Sequence, residues 1–209
     1  MKVTGLDFSL TSTGVAVIER DGTGHLHRVT STGKAGATLL ERRRRIRALA
    51  HDLAELGRGS DLWVLEGPSL GQARQGGQFD RAGLWWLTVE AIAYLSTAPI
   101  VEVPPSVRAK YATGSGNAGK DAVLAAVVRR YPTWEVQGND TADGLVLAAM
   151  GRRHLGLPID SLPAVHLTAM NGVRWPLSAT ESAEQAQAGV PGPRKRSERR
   201  TGPRPGADE

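Results

Sequence analysis

The chain has 209 residues, 40% of them hydrophobic and 22% charged, and it contains no cysteine. That length suits one ordinary domain with a substantial core, and the missing cysteines exclude a disulfide framework or cysteine-ligated zinc and iron–sulfur sites. Between Gly189 and Gly206, Arg194, Lys195, Arg196, Arg199, Arg200 and Arg204 stand against the single acid Glu198, a local charge equal to the formal net charge of +5 of the whole chain. Such a tail suits nucleic-acid backbones, although it can also act only as a solubiliser.

No apolar run approaches the roughly 18 residues a membrane span needs, and the opening MKVTGLDF reads as a strand without a signal-peptide core. A protein of a reducing cytoplasm, with no membrane partner, is expected.

Val3 to Phe8 reads as a first strand and Thr13 to Glu19 as a second, joined by a Ser/Thr-rich turn that suits a hairpin. Asp21-Gly22 turns the chain into a third strand near His25 to Thr30. From Thr38 the period becomes helical, with Leu39, Ile46, Leu49, Leu53 and Leu56 on one stripe and Gly57 as the stop. Within that helix, Arg42 to Arg45 read as a solvated face rather than a DNA contact. Asp61 to Glu66 is a short apolar strand.

A second helix, from about Phe79 to Ser96, is apolar nearly all round. It is expected to bury two faces, one against the sheet and the other against a second subunit or within a single core. The tryptophans read as core residues. Ile100 to Val103 forms another strand, closed by Pro104-Pro105, and a glycine-rich loop leads to a helix from Lys120 to about Tyr131. A last helix spans about Asp140 to Leu155, and beyond Pro176 the sequence loses periodicity and reads as disordered. The order predicts an α/β domain over residues 1–176 with a mixed sheet, three antiparallel strands followed by parallel ones, and a basic tail over residues 177–209.

Three places carry acids awkwardly for a purely structural role. Asp7 interrupts a strand between Leu6 and Phe8, and Glu66 ends an otherwise apolar strand, where open α/β sheets put their sites. Asp140 and Asp143 open the last helix at i, i+3 spacing, with Asp143 on the stripe of Leu147 and Met150. Each has a bland alternative: a buried Arg partner for Asp7, a strand end for Glu66, and a cap or dipole complement for the pair. Taken together they can converge at one sheet edge. Two carboxylates roughly 5 Å apart repel by about 3 kcal/mol at an effective dielectric near 20. A divalent cation removes that penalty, and all-oxygen ligands favour Mg²⁺ or Mn²⁺. Two such ions would serve an in-line phosphodiester displacement.

GLDFSLTSTG (5–14), the glutamate of WVLEGP, KYATGSGNAGK (110–120) and DTADGLVLAA (140–149) occur in the order and spacing of RuvC-like Holliday junction resolvases. The chain resembles that family, most of all its phage-encoded branch, over about residues 1 to 155. The resemblance implies an RNase H-like fold, a homodimer and cleavage of branched DNA, four-way junctions above all. It also implies two Mg²⁺ per site, with Mn²⁺ as a substitute, held by Asp7, Glu66, Asp140 and Asp143.

The resemblance further implies that Lys120 and Lys110 contact phosphates, with Arg108 as the competitor of Lys110. Gly114 and Gly116 would let the backbone approach DNA, and a flexible surface loop is the alternative for that segment. Arg194, Lys195 and Arg196 of the tail would add backbone contacts. The family's Pro-Gly after the first aspartate is Phe8-Ser9 here. The only aromatic in the loop after Glu66 is Phe79, which falls into the following helix. Rival readings are an actin-like ATPase, for which 209 residues lack the second half, an RNase H-like nuclease of flaps, forks or structured RNA, and a non-catalytic junction binder.

Overall fold

The computed structural model describes residues 1–68 and 77–176. The tail, with Arg194, Lys195 and Arg196, and most of the loop after Glu66 lie outside them. Strands β1 (Val3–Asp7), β2 (Ser12–Ile18) and β3 (Gly24–Thr30) form the expected antiparallel meander. β4 (Leu62–Glu66) and β5 (Ile100–Val103) add in parallel, giving the order β3-β2-β1-β4-β5. The mixed α/β sheet is the one the sequence predicts.

Alternation along each strand sends side chains to two cores. Leu6, Val15, Val17, Trp63 and Leu65 pack under α1 (Leu39–Leu56) and α2 (Gln78–Leu95). Val3, Ala16, Ile18, Leu62, Val64, Val101 and Val103 pack on the other face under α5 (Asn139–His154). α1 starts where Thr38 accepts the Glu41 amide while the Glu41 carboxylate accepts the Thr38 amide, a reciprocal cap. Arg42 of its basic run pairs with Asp80, and Arg45 bonds Ser31 and the Leu10 carbonyl, so half of that run is tied down rather than merely solvated.

α5 is the central helix, buried continuously from Thr141 to Arg152. It lies directly on β1 and β2 because glycines face it. A Cβ on Gly5 would collide with the Gly144 carbonyl, and one on Gly14 would fall on the Asp140 carbonyl.

Three expectations are corrected. Pro104-Pro105 does more than end β5: Pro105 opens a nine-residue helix, α3 (Pro105–Thr113), since proline is suited to the first helical turn. After α4 (Lys120–Arg130) and α5, a short α6 (Ala164–Leu167) and a 3₁₀ turn (Thr168–Gly172) follow, where the sequence reading placed no further helix. Buried Asp160 anchors this segment by accepting from Tyr111, Tyr131 and Arg153. The tryptophans are not all core: Trp63 is buried, but Trp86 is 66% exposed, beside Phe79 at 92% and Tyr94 at 89% on the outer face of α2. No helix among the described residues is long and apolar enough to cross a membrane.

Candidate active site

Asp7 ends β1 and Glu66 ends β4, and β1 pairs in parallel with β4 so that Leu6 lies beside Leu65. Asp7 follows the parity of Val3 and Gly5, and Glu66 that of Leu62 and Val64, so both acids fall on the α5 face. On α5, Asp143 is 2% exposed and stands one turn after Asp140, which is half-buried in the first turn. Gly138 takes the N-cap position, so Asp140 is not the cap. Ser12, opening β2, donates to Asp140 Oδ2 at 2.5 Å and accepts from Arg28 Nε at 2.8 Å, which fixes that carboxylate from the side of the hairpin.

Arg108 enters this acidic group from α3. It is 8% exposed, its Nε lies 2.5 Å from Glu66 Oε1, and its Nη1 pairs with Asp143 Oδ1. The bland alternative for an acid beside a buried arginine is therefore realised, though with Glu66 and Asp143 as the bonded partners. Burial raises Asp7 well above the usual carboxylate range, with the Glu66 and Asp143 charges adding to it. Burial pushes Asp143 up to about 7, against the pull of Arg108. A single guanidinium does not compensate this much buried negative charge.

A carboxyl whose pKa is raised on folding holds its proton more tightly in the native state. In EDTA the protein is therefore expected to lose stability as the pH climbs from the ordinary carboxylate range through about 7, by at most about 1.4 kcal/mol per pH unit for one such group. Urea midpoints across that window check it. Asp143→Asn should flatten the slope, and a midpoint that rises with pH would contradict the burial described.

The acids open into a cleft of about 710 Å³ whose polar lining includes Asp7, Glu66, Arg108, Lys120 and Asp140. Its apolar wall is formed by Phe8, Phe79, Ala82 and Trp85, and Trp85 donates from its indole to the Glu66 carbonyl at 3.0 Å. A smaller neighbouring recess is lined by Ser106, Arg108, Gly116, Ala118 and Lys120. The structure thus brings Lys120 and Arg108 to the acids, and Gly116 to the adjoining recess that both also line. Lys110, on the last turn of α3, and Gly114, the left-handed cap that ends α3, line neither space. Ser12, Arg28 and Trp85 join the site although no sequence motif marks them as functional. The Ser/Thr-rich turn was the only signal for Ser12, and none pointed to the other two.

The donor set is all oxygen, which fits a hard divalent cation. As the side chains stand, no group of three or more among the described residues is arranged to hold a metal ion. The guanidinium of Arg108 is paired with two of the four acids instead.

No protein-family model and no curated protein sequence matches the chain. Among solved structures, RuvC of Thermus thermophilus is similar at a TM-score of 0.57 and 17% identity, over 75% of this chain and 98% of that one. T. thermophilus RuvC in complex with a Holliday junction substrate is similar at 0.54 and 21%, over 75% and 97%. The chain has the fold of RuvC resolvases.

Proposed function

We propose that this chain is a Mg²⁺-dependent, structure-selective DNA endonuclease that resolves four-way junctions and related branched DNA. The observation that carries this reading is the convergence of Asp7, Glu66 and Asp140, from β1, β4 and α5, on one open cleft that Lys120 also lines, with Asp143 buried behind them and joined to Glu66 through Arg108. A binder of polyanionic DNA gains nothing from acids clustered where phosphate would lie, whereas a metal-dependent phosphodiester hydrolase uses them as ligands. Asp7, Glu66, Asp140 and Asp143 would hold divalent cations, which would supply Lewis acidity to the phosphate oxygens and acidify water. Two ions per site, with Mn²⁺ as a substitute, suit the number of carboxylate oxygens present. Lys120, exposed at the start of α4, meets the phosphate and offsets charge as it develops. Residues 1–176 constitute the nuclease, and the basic tail, Arg194, Lys195 and Arg196 included, adds sequence-independent phosphate contacts.

Symmetric cutting of a four-way junction needs two such sites, and the outer face of α2 suits a homodimer contact. Phe79, Trp86, Leu87 and Tyr94 share one exposed stripe there. Trp86→Ser combined with Tyr94→Ser is expected to yield a monomer by light scattering, with paired nicks replaced by single ones. A dimer that survives the double change would move the interface elsewhere.

The direct test is a denaturing gel of end-labelled junction, flap and linear duplex DNA with Mg²⁺ or EDTA. Mg²⁺-dependent paired nicks near the crossover, carrying 5′-phosphate ends, are expected. Equal cutting of all substrates would make the chain a general nuclease, and tight junction binding without cutting would make it a scaffold.

A further inference from the structure

Arg108 is the one strong cation bonded directly into the acidic group among the described residues. Its position is set by the backbone: Pro105 begins α3 straight after β5, and the fourth helical residue then points back across the ends of β4 and α5. The guanidinium bonds Glu66 with one nitrogen and Asp143 with another, and its side chain is more than nine-tenths buried. The same side chain also lines both the acidic cleft and the recess beside Lys120. It therefore lies between the carboxylates and the basic rim. Each bond occupies one carboxylate oxygen, Glu66 Oε1 and Asp143 Oδ1, so an ion that draws on those oxygens has to compete with the guanidinium for them.

We propose that Arg108 is a built-in counter-cation that competes with divalent metal for Glu66 and Asp143. The inference rests on the reading of these acids as metal ligands. The metal-free chain can then close its core around buried acids without an ion, at the expense of affinity for that ion. A metal that takes those two oxygens would displace the guanidinium from them, leaving it in the cleft that Lys120 also lines. Arg108 would thus lower the affinity of both carboxylates for the ion for as long as it stays bonded to them. Arg108 acts through Glu66 and Asp143, so it is a positioning residue. The opposite role, a strut that presets the carboxylates for metal, predicts the opposite sign in the same experiment.

The experiment measures Mn²⁺ binding to the full chain by electron paramagnetic resonance, with no DNA present, in wild type, Arg108→Gln and Arg108→Lys. Thermal melts in EDTA and in saturating Mn²⁺ accompany it. Arg108→Gln should bind Mn²⁺ about tenfold more tightly or better, the scale of losing one close charge pair. It should melt lower than wild type in EDTA and recover in Mn²⁺. Arg108→Lys, which keeps the charge but lacks the fork that reaches both acids, should fall between them. If Arg108→Gln folds only with metal, that supports the competition, and the lysine variant then supplies the affinity comparison. Equal or weaker Mn²⁺ binding in both variants would overturn the competition while leaving the metal site itself standing. No Mn²⁺ binding by any of the three would instead remove the metal-dependent reading on which it rests.

Discussion

Asp7→Asn is expected to lower junction cleavage by at least about a hundredfold, the usual scale for removing one group that stabilises reacting charge, while junction affinity stays near that of wild type. Asp7 sits on the central strand, between the partners β2 and β4, and is the most enclosed strand acid. Its amide replacement keeps the shape and removes the ligand charge. The fold should tolerate it: burial and two neighbouring acids already raise Asp7, so neutralising it relieves repulsion. The variant should therefore melt at or above the wild-type temperature in EDTA. Cleavage that persists, or falls only in step with a lowered melting temperature, would remove Asp7 from the reaction.

Gly14→Ala is expected to be the most damaging small substitution in the described chain. Gly14 pairs with Asp7 across the hairpin, and α5 rests on it so closely that a methyl group would strike the Asp140 carbonyl. The obstacle is backbone, so no side chain can swing away, and the helix must lift off the sheet. Overpacking of this kind costs about 3 kcal/mol, or roughly 6–12 °C in melting temperature for a domain of this size. Lifting α5 also moves Asp140 and Asp143 away from Asp7, so activity should fall further than stability alone would require. Gly83→Ala is the comparison: Gly83 lies inside α2 with only Ile46 near a would-be methyl, so that change should be neutral or stabilising. If both variants melt like wild type, α5 does not rest on β2 as described.

Much of this arrangement is legible in the amino-acid sequence itself. Alternation and turn residues place β1 to β3, and Asp7 and Glu66 stand out because an acid inside an apolar strand has few structural uses. Parity along β1 and β4 even puts the two on one face, once their pairing is known. α3 was not legible, because nine residues between a proline pair and a glycine segment leave too short a window for helical periodicity. Missing α3 blurred the choice between Arg108 and Lys110. Residues two apart on a helix do not share a face, so only one of them could reach the cleft, and the helix phase selects Arg108. The bonds from Arg28 to Ser12 and from Ser12 to Asp140 depend on how the edge of the hairpin meets α5, a juxtaposition that no local pattern encodes. The outward turn of Trp86 beside the inward turn of Trp85 likewise depends on which side of α2 meets the sheet.

The four acids are spread across the chain, one in the first strand, one in the fourth and two in the helix that closes the core. During synthesis, neither the hairpin nor the first four strands can assemble more than half of the set. If these acids are the catalytic set, a nascent chain would stay without activity until residue 143 has left the ribosome and α5 has docked, and a product truncated before that point would not cut DNA.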